Sequence, residues 1–334
     1  MIEKLHQGGF LGSKSITDAL TRIVCDMKNK KCVFRQCAKC CYSEMEPAIP
    51  NDTGLVSWHQ WQREKVSSEG KIYSHFVKRE VTGKWEDLLK SFNEKLERLA
   101  KHHYTWIHQV EQCRALKNSL QDHEALVHMD FSENYSCKLS VEVQSYHWGG
   151  SRRQATVHTC MVYTAERSKA YATIFTSLRH DERAVWAHLK PVLDEIQSNA
   201  PISTVHLMSD GPLTQYRNKK NFFLMSTLPF MHGIEAVTWN FSEKSHGKGV
   251  PDGIGGLLKR KADAFVQQGG DIQHPEELFS FLEKSNSDRE YWPGGSRRTR
   301  SSELLNFLLV KNKATESINL SIHAFPKPIK IVPT

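Results

Sequence analysis

Near residue 124 the apolar residues of this chain stop recurring every three to four positions and begin to alternate or to run together. Upstream, from Val56 to Leu120, the pattern reads as helical. Trp85, Leu88, Leu89, Phe92, Leu96 and Leu99 mark one face, and Trp106, Ile107 and Val110 continue it. The charges Glu94, Lys95, Glu97 and Arg98 fall on the opposite, wet face. Downstream, Ala125–Phe131 is a short apolar run, Lys138–Trp148 alternates, and Ala155–Tyr163 follows a Gly149-Gly150-Ser151 turn. Together they predict a three-strand antiparallel meander. Asp181–Ser198 is amphipathic with Pro191 inside it, Ile202–Met208 is strand-like, and Asn218–Met231 reads as a helix. Ala236–Phe241 is strand-like again, and a Gly-rich stretch over 247–256 reads as a loop opening a helix to about Gln267.

The resulting order, β-β-β-α-β-α-β-α, predicts an α/β fold with a ribonuclease H-like mixed sheet. In that arrangement an acid on the first strand lies beside an acid at the end of the fourth, and a third comes from the helix after the fifth. The positions so selected are Asp130, Asp210 and Asp252. Carboxylates gathered in this way suit hard divalent cations, and a pair of Mg²⁺ or Mn²⁺ ions suits in-line attack on phosphate. Asp130, on the central strand, is expected to bridge both ions, with Asp210 and Asp252 each holding one. Each acid also has an ordinary reading, Asp210-Gly211 as a turn and Asp252 as a helix cap. In Ser245–Gly256, five glycines precede the basic residues Lys259, Arg260 and Lys261, which fits close approach of backbone N–H groups to a phosphate. His246 is a candidate contact to the scissile phosphate or a further metal ligand. The alternative is a flexible loop whose glycines only make turns.

Several segments are similar to a known family. They are Asp130-Phe131-Ser132-Glu133-Asn134-Tyr135, Val143–Trp148, Ser209-Asp210-Gly211 with Gln215–Phe222, and the Ser245–Gly256 stretch. They resemble transposon-derived animal proteins that are themselves similar to DDE/DDD transposases, with motifs of the form DFxENY, SDGxxxQYxNKKNF and SHGKGxxDGxGG. The resemblance runs from the cysteines to about residue 290. It implies a transposon origin, Asp130, Asp210 and Asp252 as the motif acids, and DNA, in particular transposon ends, as the partner.

Of eight cysteines, five (Cys25, Cys32, Cys37, Cys40 and Cys41) fall between residues 25 and 41. The spacing Cys25-x6-Cys32-x4-Cys37-x2-Cys40 offers four thiolates to a structural Zn²⁺, with Cys41 spare. Lys28, Lys30, Lys31, Arg35 and Lys39 interleave with them, either as phosphate contacts or for solubility.

The whole chain of 334 residues carries 45 Lys+Arg against 37 Asp+Glu, a formal +8, which fits a polyanionic partner. Arg217, Lys219, Lys220, Lys248, Lys259, Arg260 and Lys261 are the expected DNA contacts; Arg152-Arg153 and Arg297–Arg300 are further basic groups. No run approaches the ~20 apolar residues that span a bilayer, and the first ten residues lack a long apolar stretch. The expected setting is the nucleus or cytoplasm, with no membrane partner and room for a homo-oligomer.

The expected regions are a Cys-rich knuckle (1–54), a helical region (55–123), the ribonuclease H-like core (124–285) and a C-terminal linker and extension (286–334), where Leu304–Leu309 reads as a packing helix. The expected function is transposase-like cleavage and transfer of DNA strands, an endonuclease chemistry. Two alternatives stay open: a zinc-containing DNA-binding protein without catalysis, and a nucleotide-binding enzyme built on the glycine stretch.

Overall fold

A computed structural model describes residues 1–40, 43–45, 54–68, 71–142, 152–243, 249–287 and 305–310. The chain divides into two units, Met1–Val110 and Glu111–Thr334.

In the first unit, three short helices, α1 (Ile2–Gln7), α2 (Ile16–Ile23) and α3 (Lys30–Val33), precede a two-stranded ribbon of β1 (Leu55–Ser68) and β2 (Lys71–Lys84). Helix α4 (Trp85–Ser119) follows. Ser15 caps α2, its hydroxyl accepting from the Asp18 N–H at 3.3 Å. Leu5, Leu20, Ile23 and Val33 share one core with Val56, Trp58, Leu88, Phe92 and Leu96. The expected separation of 1–54 from 55–123 is therefore not a division between cores. The expectation of helix from Val56 is also corrected: residues 55–84 are an antiparallel ribbon, and helix begins only at Trp85. Val56, Val66, Ile72, Val77 and Val81 are β-branched and sit among aromatics, which favours an extended chain over a helix. Trp58 is buried, whereas Trp61 lies on the ribbon and is exposed.

The second unit is a mixed α/β arrangement. Its sheet contains β3 (Glu124–Ser136), β4 (Gln154–Tyr163), β5 (Ser168–Phe175), β6 (Thr204–Ser209), β7 (Ala236–Phe241) and β8 (Leu305–Val310). The strands lie in the order β7-β6-β3-β4-β5-β8. β4 runs antiparallel to both neighbours, whereas β3–β6, β6–β7 and β5–β8 are parallel pairs. Between the strands come α5 (Glu182–Asn199), α6 (Lys219–Met225) and α7 (Leu228–Met231), and then α8 (Val250–Gln267) and α9 (Pro275–Ser287). Asp181 caps α5, its carboxylate accepting from the Ala184 N–H at 3.1 Å.

The sheet has a core on each face. Leu126, Val157, Ala172 and Ile174 pack with Ile254, Leu258 and Ala262 of α8 and with Leu278 and Leu282 of α9. Val127, Met129, Cys160 and Leu207 pack with Val185, Leu189 and Leu193 of α5 on the other face. The parity of β3 thus assigns its even-numbered residues to the α8 face.

From β3 onward the elements run β-β-β-α-β-α-α-β-α-α-β, and three segments differ from their expected form. Lys138–Trp148 does not supply the second strand: Lys138 makes only an isolated bridge to Ile272, and 143–150 lie outside the described residues. The third strand of the meander is instead Ser168–Phe175, whose apolar residues are buried on both faces and so show no alternation. Leu305–Val310 is an added strand beside β5 rather than a packing helix; a short apolar run suits either until a partner strand is at hand.

Candidate functional site

The three acids selected from the element order come from three elements of the second unit. Asp130 lies in the middle of β3, not at its end as expected. The parallel register pairs Val127 with Leu207 and His128 with Met208, so continuing it by two residues sets Asp130 beside Asp210, the residue just after β6. Asp252 lies in the first turn of α8. The cap position is Gly249 rather than Asp252, which sits at the third helical position and reaches back, its Oδ2 accepting from the Gly249 N–H at 2.8 Å.

The acids act on one another through their charges. Burial pushes the Asp130 carboxyl up to about 7, and the negative charges of Asp210 and Asp252 push in the same direction. Asp210 is likewise raised, first by burial and then by Asp252. Its Oδ1 is buried with no hydrogen-bond partner among the described residues. A buried carboxylate oxygen without a donor is costly unless a cation or solvent serves it. His128 is lowered by burial, against an opposing pull from Asp252.

Glycines set the close approach of α8 to β3. A Cβ at Gly249 would stand 2.6 Å from His128 Cε1, and one at Gly255 would stand 2.5 Å from Ser132 Oγ. His128, Asp130 and Ser132 are successive residues on one face of β3, so the helix start is pressed onto the strand on either side of the acid. Thr159 on β4 donates to the Pro251 carbonyl at 2.9 Å and helps dock the same turn. The expected phosphate-cradling loop is corrected here: Gly253, Gly255 and Gly256 are inside a helix, and close packing explains Gly255. His246 and Lys248 lie outside the described residues.

Each residue of the DFSENY segment has a structural role. Phe131 faces the side opposite Asp130 and packs among His158, His180, His188 and Tyr216. The register shifts between Ser132 and Tyr135, a bulge that leaves Glu133 exposed. Asn134 Oδ1 lies 3.0 Å from His180 Nε2, and Tyr135 is buried. Tyr216 and Asn221 are residues that the sequence reading quoted without giving them a role. Both are fully buried; Asn221 donates to the Tyr216 carbonyl at 3.1 Å and accepts from the Trp186 indole at 3.0 Å. They anchor the loop that follows Asp210. Polar residues within a helix-like stretch were the available signal.

The basic candidates are less uniform than expected. Arg217 is exposed over the Phe241 ring at 5.8 Å, and Lys219 is exposed. Lys220 pairs with Glu182 at 3.1 Å. Lys259 donates to the Glu133 carbonyl at 3.1 Å, Arg260 is exposed, and Lys261 is half-buried. Arg152 is held by Glu142 at 2.6 Å.

In the first unit, the sulfurs of Cys25, Cys32, Cys37 and Cys40 all lie within 4.8 Å of one another. Cys25 is 3.4 Å from Cys32 and 3.8 Å from Cys37. Four sulfurs each about 2.3 Å from one Zn²⁺ would be separated by about 3.8 Å, so the cluster could hold a metal such as zinc. The backbone N–H groups of Lys39 and Cys40 point at the Cys37 sulfur and lower its pKa to about 7, while burial pushes Cys32 up to about 12. Cys41 lies outside the described residues.

Arg35 is corrected from a phosphate contact to a staple. One guanidinium nitrogen donates to the carbonyls of Ile23 (3.1 Å), Cys40 (3.1 Å) and Ser43 (2.8 Å). Its backbone has φ of 62°, the left-handed turn that ends α3. Among the described residues no helix is long and apolar enough to cross a membrane.

No curated protein matches the chain. Residues 109–324 match a family described as a domain of unknown function, a span that contains all three acids but not the cluster of Cys25, Cys32, Cys37 and Cys40. The chain belongs to that family, DUF8701.

Proposed function

We propose that the second unit is a ribonuclease H-like, transposase-like core that cleaves and transfers DNA strands by metal-dependent phosphoryl transfer, with Asp130, Asp210 and Asp252 as its metal-binding carboxylates. The observation that carries this reading is the parallel β3–β6 register, which continued by two residues sets Asp130 beside Asp210, together with the raised carboxyls of Asp130 and Asp210, on both of which the charge of Asp252 acts. The strand order, with one antiparallel strand among parallel ones, and the partnerless Asp210 Oδ1 support it further.

The donor set is all carboxylate, which fits Mg²⁺ or Mn²⁺ better than softer metals. When bound, two such ions would supply activation of a water or 3′-hydroxyl and stabilisation of the leaving oxygen. The chain's own part is positional. β3 and β6 hold two acids at fixed spacing, and the glycines of α8 let Asp252 approach them. Asp252 keeps one oxygen on its helix N-terminus, which fixes the orientation of the other.

The proposed partner is DNA, with Arg217, Lys219, Arg260 and Lys261 as contacts, and the nucleus is the matching compartment. The test is nicking of supercoiled plasmid and strand transfer in Mg²⁺ or Mn²⁺. Activity abolished in Asp130→Ala and Asp210→Ala supports the reading; undiminished activity in both overturns it. The second reading is a zinc-containing DNA-binding protein without catalysis, favoured by the four-sulfur cluster. It expects salt-sensitive DNA binding with no metal-dependent cleavage.

A further inference from the structure

The ribbon of β1 and β2 carries Leu55, Trp61, Val66, Ile72, Tyr73 and Phe76, all exposed large apolar side chains. Val56 and Trp58 root its base in the core, but from Trp61 outward no described side chain on either strand is buried. A two-stranded ribbon with both faces in water has little to stabilise it alone, and aromatic exposure on this scale marks a surface that meets a partner. Trp61 is 66% exposed and Phe76 67%.

The register sorts these residues. Trp61 stands opposite Lys78, and Arg63 stands opposite Phe76. The same face carries Lys65 and Ile72. It therefore presents two successive aromatic–cation pairs arranged in opposite senses, with a further cation beyond them. Arg63 is steadied by Ser74, to which its Nε donates. The other face neutralises itself: Arg79 binds Glu64 through two hydrogen bonds of 2.7 and 3.0 Å. Lys65 and Lys78 make no ion pair among the described residues.

We propose that this face of the ribbon binds single-stranded nucleic acid, with phosphates on Arg63, Lys65 and Lys78 and unstacked bases on Trp61 and Phe76. Flat aromatic rings alternating with cations at strand spacing match a polyanion whose bases are free to stack. Paired bases in a duplex would hide the faces that Trp61 and Phe76 need. The inference rests on the ribbon alone and holds whether or not the acids of the second unit are catalytic.

The experiment uses the full chain and a fluorescein-labelled oligo-dT strand of about 15 nucleotides, followed by anisotropy across a salt series. The double variant Trp61→Ala/Phe76→Ala is expected to weaken binding at least about tenfold, and Trp61→Phe/Phe76→Trp to restore it. The triple variant Arg63→Ala/Lys65→Ala/Lys78→Ala should reduce the salt slope by about 2, near 0.7 per lost charge on a single strand. Unchanged thermal unfolding would show that the ribbon's root is intact. The binding series is run without divalent metal, so that it does not depend on the proposed catalytic site. Any of three results overturns the proposal: parental affinity in the aromatic double variant; duplex bound more tightly than dT with no aromatic dependence; or a change only in sedimentation, which would make the face a contact between copies of the chain.

Discussion

Asp130 on β3 and Asp210 just after β6 each lie two residues beyond His128 and Met208, the last pair of the parallel β3–β6 register. Two carboxylates so placed, with Asp252 acting on both, repel one another, and the protein bears that cost in the folded state.

Asp130→Asn should therefore stabilise the metal-free protein at pH 8. The folded Asp130 titrates near 7, against an ordinary value of 3.8, so between those values the folded state binds more protons than the unfolded one. Stability associated with this group is fully present below about pH 4 and is lost as pH rises through 7. Discounted for partial exposure, removing the charge is worth roughly 1–2 kcal/mol. Millimolar Mn²⁺ should raise the melting temperature of the parent and leave that of Asp130→Asn unmoved, as read by differential scanning fluorimetry. A parent that does not respond to Mn²⁺ would count against the metal reading.

Gly255→Ala should destabilise the second unit by about 1–3 kcal/mol, because its Cβ would meet Ser132 Oγ at 2.5 Å. Ser132→Gly in the same chain should recover much of that loss. Chemical denaturation of the four proteins of this double-mutant cycle measures the coupling, and strictly additive effects would refute the close contact.

The sulfur cluster predicts one tightly bound zinc per chain, released by chelation and absent from Cys37→Ser, as read by a colorimetric zinc assay. Cys32, Val33 and Cys40 belong to the core of the first unit, so zinc loss should also lower that unit's melting temperature. Full zinc content in the Cys37→Ser protein would exclude this ligand set.

The buried histidines should cost the second unit stability below about pH 6.5, opposing the gain from Asp130 over the same range. His158 is buried with neither ring nitrogen partnered among the described residues, and burial lowers its pKa to about 3. His188, stacked on it at 5.1 Å, is also lowered by burial. The unfolded state then binds more protons than the folded one between about 6.5 and 3, so stability is present above 6.5 and lost as pH falls. The change should amount to a few kcal/mol over that range. Urea denaturation at pH 7 and pH 5 compares the parent with His158→Leu, in which the pH dependence should flatten.

Much of the second unit was legible in the chain because its signals are local. Periodicity over Asp181–Ser198 and the short apolar runs at Ile202–Met208 and Ala236–Phe241 are each visible within a single window, and together they set the order of elements that points to Asp130, Asp210 and Asp252. The four-cysteine spacing is local in the same sense, since residue type and separation already limit which ions can be held. Tertiary structure decided the rest. The ribbon at Leu55–Lys84 has a helix-like pattern in sequence, because a strand pair is stabilised by cross-strand partners that no single window contains. Ser168–Phe175 was missed for a related reason: a strand covered on both faces has no alternation to show. Gly255 read as a loop residue until Ser132 was seen against it. The elevated pKa of Asp130 likewise belongs to no residue alone. It arises from the burial of one carboxyl and from two others, on β6's end and on α8, that only the fold brings within reach.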